Sequence, residues 1–287
     1  MNKHGWLIYQ KQDAEQNNSF IKWFIDEAEK QNLKLSLILR EEMTAGIIDN
    51  KRTVLINHKQ VSLPDFAIVR TIDQMLSHFL EALEIRVFNR AAISEMCNNK
   101  ARTHFHLNEL SIPMVDTIFL GNEIKRIDPP IPYPVVLKEA AGRGGQQVYM
   151  IHNRQEWESR LMTAASGDLV IQSIDSIQLG KDVRVFIVGK EIVGAVLRNS
   201  TTDFRSNYKL GGTASWYPLN HTERKMIQSI INHFDFGMVG IDFLLDNDGR
   251  LLLNEIEDVV GSRTLSAVSN INILEKYVSH IKSGNPS

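Results

Sequence analysis

The chain has 287 residues, enough for two or three compact lobes and too many for one simple core. With 43% hydrophobic and 23% charged residues and a formal net charge of −2, it has the composition of a globular protein and lacks a basic nucleic-acid footprint. Cys97 is the only cysteine, which excludes an internal disulfide and fits a reducing cytoplasm, and no leader-like or long apolar stretch predicts export or membrane spanning.

In chain order, residues 6–9 read as a short strand and residues 20–28 as a helix. Residues 35–39 and 66–69 read as further strands. Residues 54–56 and 61–63, separated by Asn57-His58-Lys59-Gln60, read as a small hairpin. This alternation of strands and helices predicts a small α/β lobe with a largely parallel sheet. Arg70 follows a strand, placed either to reach a ligand at the sheet's carboxyl edge or as a surface charge.

Residues 85–88 read as a strand, and residues 91–96 and 100–110 as helices, the second stopped by Ser111-Ile112-Pro113. Lys100 opens that helix. Residues 134–140 form a strand with Lys138 inside an apolar run, followed at once by Gly142-Arg143-Gly144-Gly145. Such a turn lets backbone N–H groups close over phosphate oxygens, and the lysine adds a fixed positive charge. No Gly-Lys-Ser/Thr and no helix follow, so it is not a Walker A loop.

A helix over residues 157–164 and a strand over 169–174 come next. Strands over 180–188 and 192–197 follow, the first alternating Asp182 and Arg184 with Val183 and Val185 and so giving one polar face. Arg198 ends the second. The connection holding Arg205 and Asn207 is too polar for a strand and carries groups that orient phosphate or carboxylate. A helix over 223–234, with cap candidates Asn220-His221-Thr222, leads to the most informative stretch, residues 237–263.

There, apolar runs at 239–245 and 251–256 flank the turn Asp246-Asn247-Asp248-Gly249, a hairpin signal. Glu255 and Glu257 share a face by strand alternation, and Asp242 meets them across the pair. Three carboxylates on one face repel unless a cation sits between them, and hard oxygen ligands favour Mg²⁺ or Mn²⁺. One last helix is expected over 265–281.

Read in order, V-V-L-K-E-A with G-R-G-G, V-I-Q-S-I, G-K-D-V-R-V-F-I-V-G, F-R-S-N-Y-K-L-G-G, and G-I-D-F-L with L-N-E-I-E resemble the ATP-grasp superfamily. Within it they resemble the RimK-like carboxylate–amine ligases, over roughly residues 85 to 265. The resemblance implies an ATP-grasp fold of the α/β class. A pre-ATP-grasp α/β domain would occupy residues 1–90, a small lobe with the glycine-rich loop 91–175, and a large lobe with the metal site 176–287.

Residue by residue, Lys100 and Lys138 match two lysines that reach the phosphates, and Gly142, Gly144 and Gly145 match the mobile loop. Gln172, Ser173 and Ile174 fall on the hinge beside adenine, and Asp182 matches a nucleotide-contacting position. Arg205, Ser206 and Asn207 match a nucleotide-contacting trio. Asp242 and Glu255 match metal ligands, with Glu257 where the family commonly has asparagine. Two further departures are Ser173 in place of the hinge glutamate and Asp258 to Arg263 in place of a run of small residues and proline.

The implied activity is ADP-forming: a carboxylate becomes an acyl phosphate and is joined to an amine, an amino acid or peptide being one substrate. ATP and Mg²⁺ (or Mn²⁺) are the implied cofactors. Arg205, with Arg184 and Arg198, would hold the carboxylate or stabilise the tetrahedral oxyanion. Self-association as a dimer or tetramer is implied, and no nucleic-acid or membrane partner is. The alternatives are a small-molecule kinase on the same fold and a low-turnover nucleotide-binding regulator.

Overall fold

The computed structural model describes residues 3–121, 128–142, 147–163, 167–201, 203–205 and 212–284. The amino-terminal third contains β1 (His4–Tyr9), α1 (Lys11–Gln16), α2 (Asn18–Lys30), β2 (Lys34–Leu39), β3 (Met43–Ile48), β4 (Lys51–Ile56), β5 (Lys59–Gln60), β6 (Phe66–Val69), α3 (Gln74–Glu81) and β7 (Arg86–Phe88). The expected parallel sheet is present, in the order β2-β1-β6-β7. Its central strands β1 and β6 are buried on both sides because one face packs on α2 and α9 (Ile273–Ser283) and the other on α3.

The small hairpin differs from expectation. Asn57 and His58 take positive φ and make a two-residue reversal, so β4 pairs with Lys59 and Gln60 and residues 61–63 form no strand. The other partner of β4 is β3, which sequence reading missed.

The middle of the chain holds α4 (Ala91–Cys97), α5 (Lys100–Asn108), β8 (Thr117–Leu120), β9 (Val135–Glu139), β10 (Val148–Ile151), α6 (Arg154–Thr163) and β11 (Leu169–Ser173). Its strands form an antiparallel sheet, β10-β9-β11-β8, whose inner face buries Val135, Leu137, Ile151 and Ile171 against Trp157 and Leu161 of α6. Each such side chain contributes about 1.5–3 kcal/mol by leaving water.

The remainder contains β12 (Ile177–Val188), β13 (Glu191–Asn199), β14 (Thr213–Trp216), α7 (His221–His233), β15 (Met238–Asp246), β16 (Leu251–Glu257), α8 (Arg263–Val268) and the α9 already named. Its antiparallel sheet runs β14-β13-β12-β15-β16. The final helical stretch is two helices, because Ser269 is extended and the Asn272 side chain caps α9 through the Glu275 N–H. The β15–β16 turn is fixed by the Asp246 carboxylate, which accepts from the N–H groups of Asp248 and Arg250, and by Gly249 at φ +83. No helix among the described residues is long and apolar enough to cross a membrane.

Candidate active site

The five-stranded sheet is covered on both faces, which sets where its charges lie. Val183, Val185 and Ile187 of β12 and Ile241 and Phe243 of β15 pack on α7, while Phe186, Val188 and Met238 face the cluster built from β1, β6, α2 and α9. Asp182, Arg184 and Asp242 share the parity of the second set. Arg184 stands directly across from Asp242, and Asp182 across from Arg198.

On β16, alternation alone would leave Glu255 and Glu257 on the core face with Leu251 and Leu253. The register slips between Asp242 and Phe243: Phe243 pairs with Leu253 and Asp242 with Glu255, so Asn254 is an extra, bulged residue. The bulge reverses the phase. Leu251, Leu253 and Ile256 all reach the core, and Glu255 and Glu257 join Asp242 on the charged face. Carboxylate oxygens of these three residues lie within 4.8 Å of one another. A compact all-oxygen donor set of this kind fits a hard divalent cation.

Basic side chains already neutralise these acids. Arg184 makes a two-pronged contact with Asp242 at 2.7 and 2.6 Å and reaches Glu257 at 2.9 Å. Arg198 grips Asp182 at 2.6 and 2.5 Å and touches Asp242 at 2.8 Å. Asp242 is 1% exposed. Burial alone would raise its carboxyl, but the two guanidiniums outweigh that and hold it at about 2. Glu257 goes the other way, pushed above the usual range by burial and by Asp242 and Glu255 despite the pull of Arg184.

Both expected lysines reach this cluster, Lys138 from β9 and Lys100 from α5. Lys100, at the start of α5, pairs with Glu255 at 3.1 Å and donates to the Gly142 carbonyl at 2.5 Å. The buried Lys138 of β9 donates to the Asn254 side-chain oxygen at 2.8 Å. Burial, with Lys100 nearby, lowers its ammonium to about 8 against the pull of Glu255. Glu255 is held below its ordinary value, burial being outweighed by Lys100 and Lys138.

The other expected residues are less convergent. Gln172 is buried, its side chain turned toward His104 and Thr117 at 3.3 Å each. The Ser173 N–H donates to the Asp116 carbonyl, and the Ile174 carbonyl accepts from Ile177. Arg205 pairs with Asp203 at 2.6 and 2.9 Å, in the connection between β13 and β14. Gly144, Gly145, Ser206 and Asn207 lie outside the described residues. Arg70 is neither a surface charge nor an open ligand contact: it is buried, donating to the Val260 carbonyl at 2.8 Å and to the Tyr9 hydroxyl at 3.3 Å. Sequence reading missed Asn254 and His104. The detectable signal was two consecutive polar residues, Asn254 and Glu255, interrupting an apolar strand.

Two antiparallel sheets meet here, Lys138 on one and the clustered acids on the other, with Lys100 at the start of α5 beside them, the arrangement that the sequence resemblance leads one to expect of an ATP-grasp protein. Solved structures agree on the fold. The RimK domain ATP-grasp protein of Sphaerobacter thermophilus superposes with a TM-score of 0.74 at 17% identity, covering 96% of this chain and 98% of that one. The D-alanine–D-alanine ligase of Bacillus anthracis, solved with ATP, gives 0.71 at 15% identity over 98% and 96%.

The chain belongs to the RimK-like ATP-grasp family, whose domain description matches residues 97–281. It is 27% identical to the N-acetylaspartylglutamate synthase A of Homo sapiens over 85% of this chain, and it spans 66% of that synthase's length. The chemistry is that of an ATP-dependent, ADP-forming carboxylate–amine ligase, as the sequence resemblance implies.

Proposed function

We propose that this ligase acts on an amino acid or a peptide, activating a carboxylate at the acid cluster and transferring the acyl group to an amine. The observation that carries the reading is the meeting of Asp242, Glu255 and Glu257, within 4.8 Å, with Lys138 from the opposing sheet and Lys100 from the start of α5. Those three carboxylates would hold Mg²⁺, which when bound neutralises phosphate charge during transfer.

Lys138 and Lys100 supply the cationic partners for the phosphates, and the Gly142 carbonyl accepts from Lys100. The substrate carboxylate oxygen attacks the γ-phosphorus, the bond to the β–γ bridging oxygen breaks, and ADP leaves. An amine then attacks the acyl carbon, and the carbon–oxygen bond to phosphate breaks as the amide forms and the amine loses its proton. Arg184 and Arg198 lie on the same face and are the groups to steady the anionic intermediates. No protein nucleophile takes part: Cys97 is buried, and burial pushes its thiol well above the usual range.

The test is release of ADP and phosphate from Mg²⁺-ATP with paired acids and amines. The panel should include glutamate and N-acylated acidic amino acids, since the human relative is named for joining such units. Mass spectrometry should find an amide product, with turnover lost in Lys138→Ala and Glu255→Gln. ADP release that needs no amine, with phosphate retained on the acceptor, would refute the ligase and indicate a kinase.

A further inference from the structure

Lys138 does not point at a carboxylate, although Glu255 lies nearby; its ammonium is held by an amide oxygen from the opposite sheet. That amide belongs to Asn254, the one extra residue in β16. The bulge therefore has two effects. It re-phases the strand so that Glu255 and Glu257 face Asp242, and it frees a backbone carbonyl from the ladder, as an unpaired bulge residue must. The carbonyl does not go unsatisfied, because the His104 Nε2–H of α5 donates to it at 2.8 Å.

His104 is 1% exposed, and burial holds its ring at about 4, so it is a neutral imidazole near pH 7. A neutral ring with its proton on Nε2 can donate there without adding charge beside Lys138. α5 is also the helix that begins with Lys100. One strand irregularity thus touches both phosphate-facing lysines of the reading above: Lys138 through the Asn254 side chain, and the Lys100 helix through the Asn254 carbonyl.

We infer that Asn254 is the positioning residue for Lys138, holding its ammonium across the gap between the two sheets, with His104 fixing the bulge that presents the amide. A neutral acceptor suits this task. A carboxylate at the same place would bind the lysine in competition with phosphate, whereas an amide oxygen orients it and yields to the stronger anion. Leucine at this position would leave Lys138 buried without its neutral partner.

This inference rests on Lys138 contacting the nucleotide, and a double-substitution cycle separates the two claims. Nucleotide affinity is measured by calorimetric titration of ADP with Mg²⁺ into wild type, Lys138→Met, Asn254→Leu and the double variant. Steady-state kinetics follow on the active proteins. Lys138→Met should weaken ADP binding strongly, and Asn254→Leu should weaken it about tenfold, the loss of one hydrogen bond to a charged group. In the Lys138→Met background the Asn254 substitution should add less than about twofold, because its effect passes through the lysine.

The kinetic signature is a raised KM for ATP with a smaller change in kcat. If Asn254→Leu does not fold, Asn254→Ala carries the same prediction without demanding space for a branched side chain. An equal loss in both backgrounds, or none in the wild type, would overturn the positioning role. Lys138→Met binding ADP as tightly as wild type would instead overturn the nucleotide reading on which it depends.

Discussion

Asp242→Asn and Glu257→Gln neutralise two acids of the same cluster, yet the surroundings of each predict opposite effects on the stability of the metal-free protein. Asp242 is 1% exposed and accepts from two buried guanidiniums, which hold it at about 2 against an ordinary 3.8. A folded-state value below the unfolded one means that its charge stabilises the fold above about pH 4, and that this contribution is lost as pH falls toward 2. At about 1.4 kcal/mol per unit the shift corresponds to about 2 kcal/mol at neutral pH. Stripping one member from a buried ion pair generally costs ~3–5 kcal/mol. The lower figure decides here, because Arg184 keeps Glu257 at 2.9 Å and Arg198 keeps Asp182 at 2.6 and 2.5 Å. Glu257 has the reverse sign: its folded-state value is raised, so its charge opposes folding at neutral pH, and Glu257→Gln should leave stability equal or higher. Urea unfolding without Mg²⁺ reads both. If Asp242→Asn is as stable as wild type, or Glu257→Gln is the more damaging of the two, the arginines are not what holds this cluster together.

Two further outcomes follow from packing. Cys97 should not react with a thiol reagent in the native protein and should react on unfolding, since it is buried with its thiol raised by burial and by Asp258; rapid native labelling would contradict its placement. Alanine at Gly5 would overlap the ring of buried Phe66, whereas alanine at Gly194 would meet the half-exposed Trp216 ring at 2.8 Å. Thermal unfolding should show Gly5→Ala at about 3 kcal/mol or more and Gly194→Ala nearer 1, because only the tryptophan can move outward into solvent.

Asp242 was legible because an aspartate inside an otherwise apolar strand is unexpected at a core position. Glu255 and Glu257 were legible as a pair on one face, but which face they occupy depends on the Asn254 bulge, and side-chain alternation contains no extra residue. His104 was not legible at all. Its meaning comes from α5 lying against β16, a contact between residues 150 positions apart. Arg70 looked like a ligand contact or a surface charge because strand position says nothing about Val260, whose carbonyl arrives from the far end of the chain to accept its hydrogen bond. The missed strands β3, β8 and β14 are all only partly buried, so none shows a sustained apolar face.

On the proposed reading, the charges of the site would also constrain how metal and nucleotide arrive. Asp242 is held by Arg184 and Arg198, Glu257 by Arg184, and Glu255 by Lys100, while Asp182 is held by Arg198. With Lys138 included, four basic groups face four carboxylates, so the site is formally balanced without any ligand. A divalent cation entering alone must displace bases from the acids it needs and leave them in a partly buried face with nothing to pair with. A nucleotide entering alone would find Lys100, Arg184 and Arg198 already paired with carboxylates and Lys138 held by the Asn254 amide. With both present, Lys100 and Arg184 would exchange their carboxylate partners for phosphate oxygens, and Asp242, Glu255 and Glu257 would be left to hold the cation. The same ion pairs that neutralise the free protein would therefore favour joint binding over binding of either species alone, which is the linkage expected when each ligand removes a cost imposed on the other.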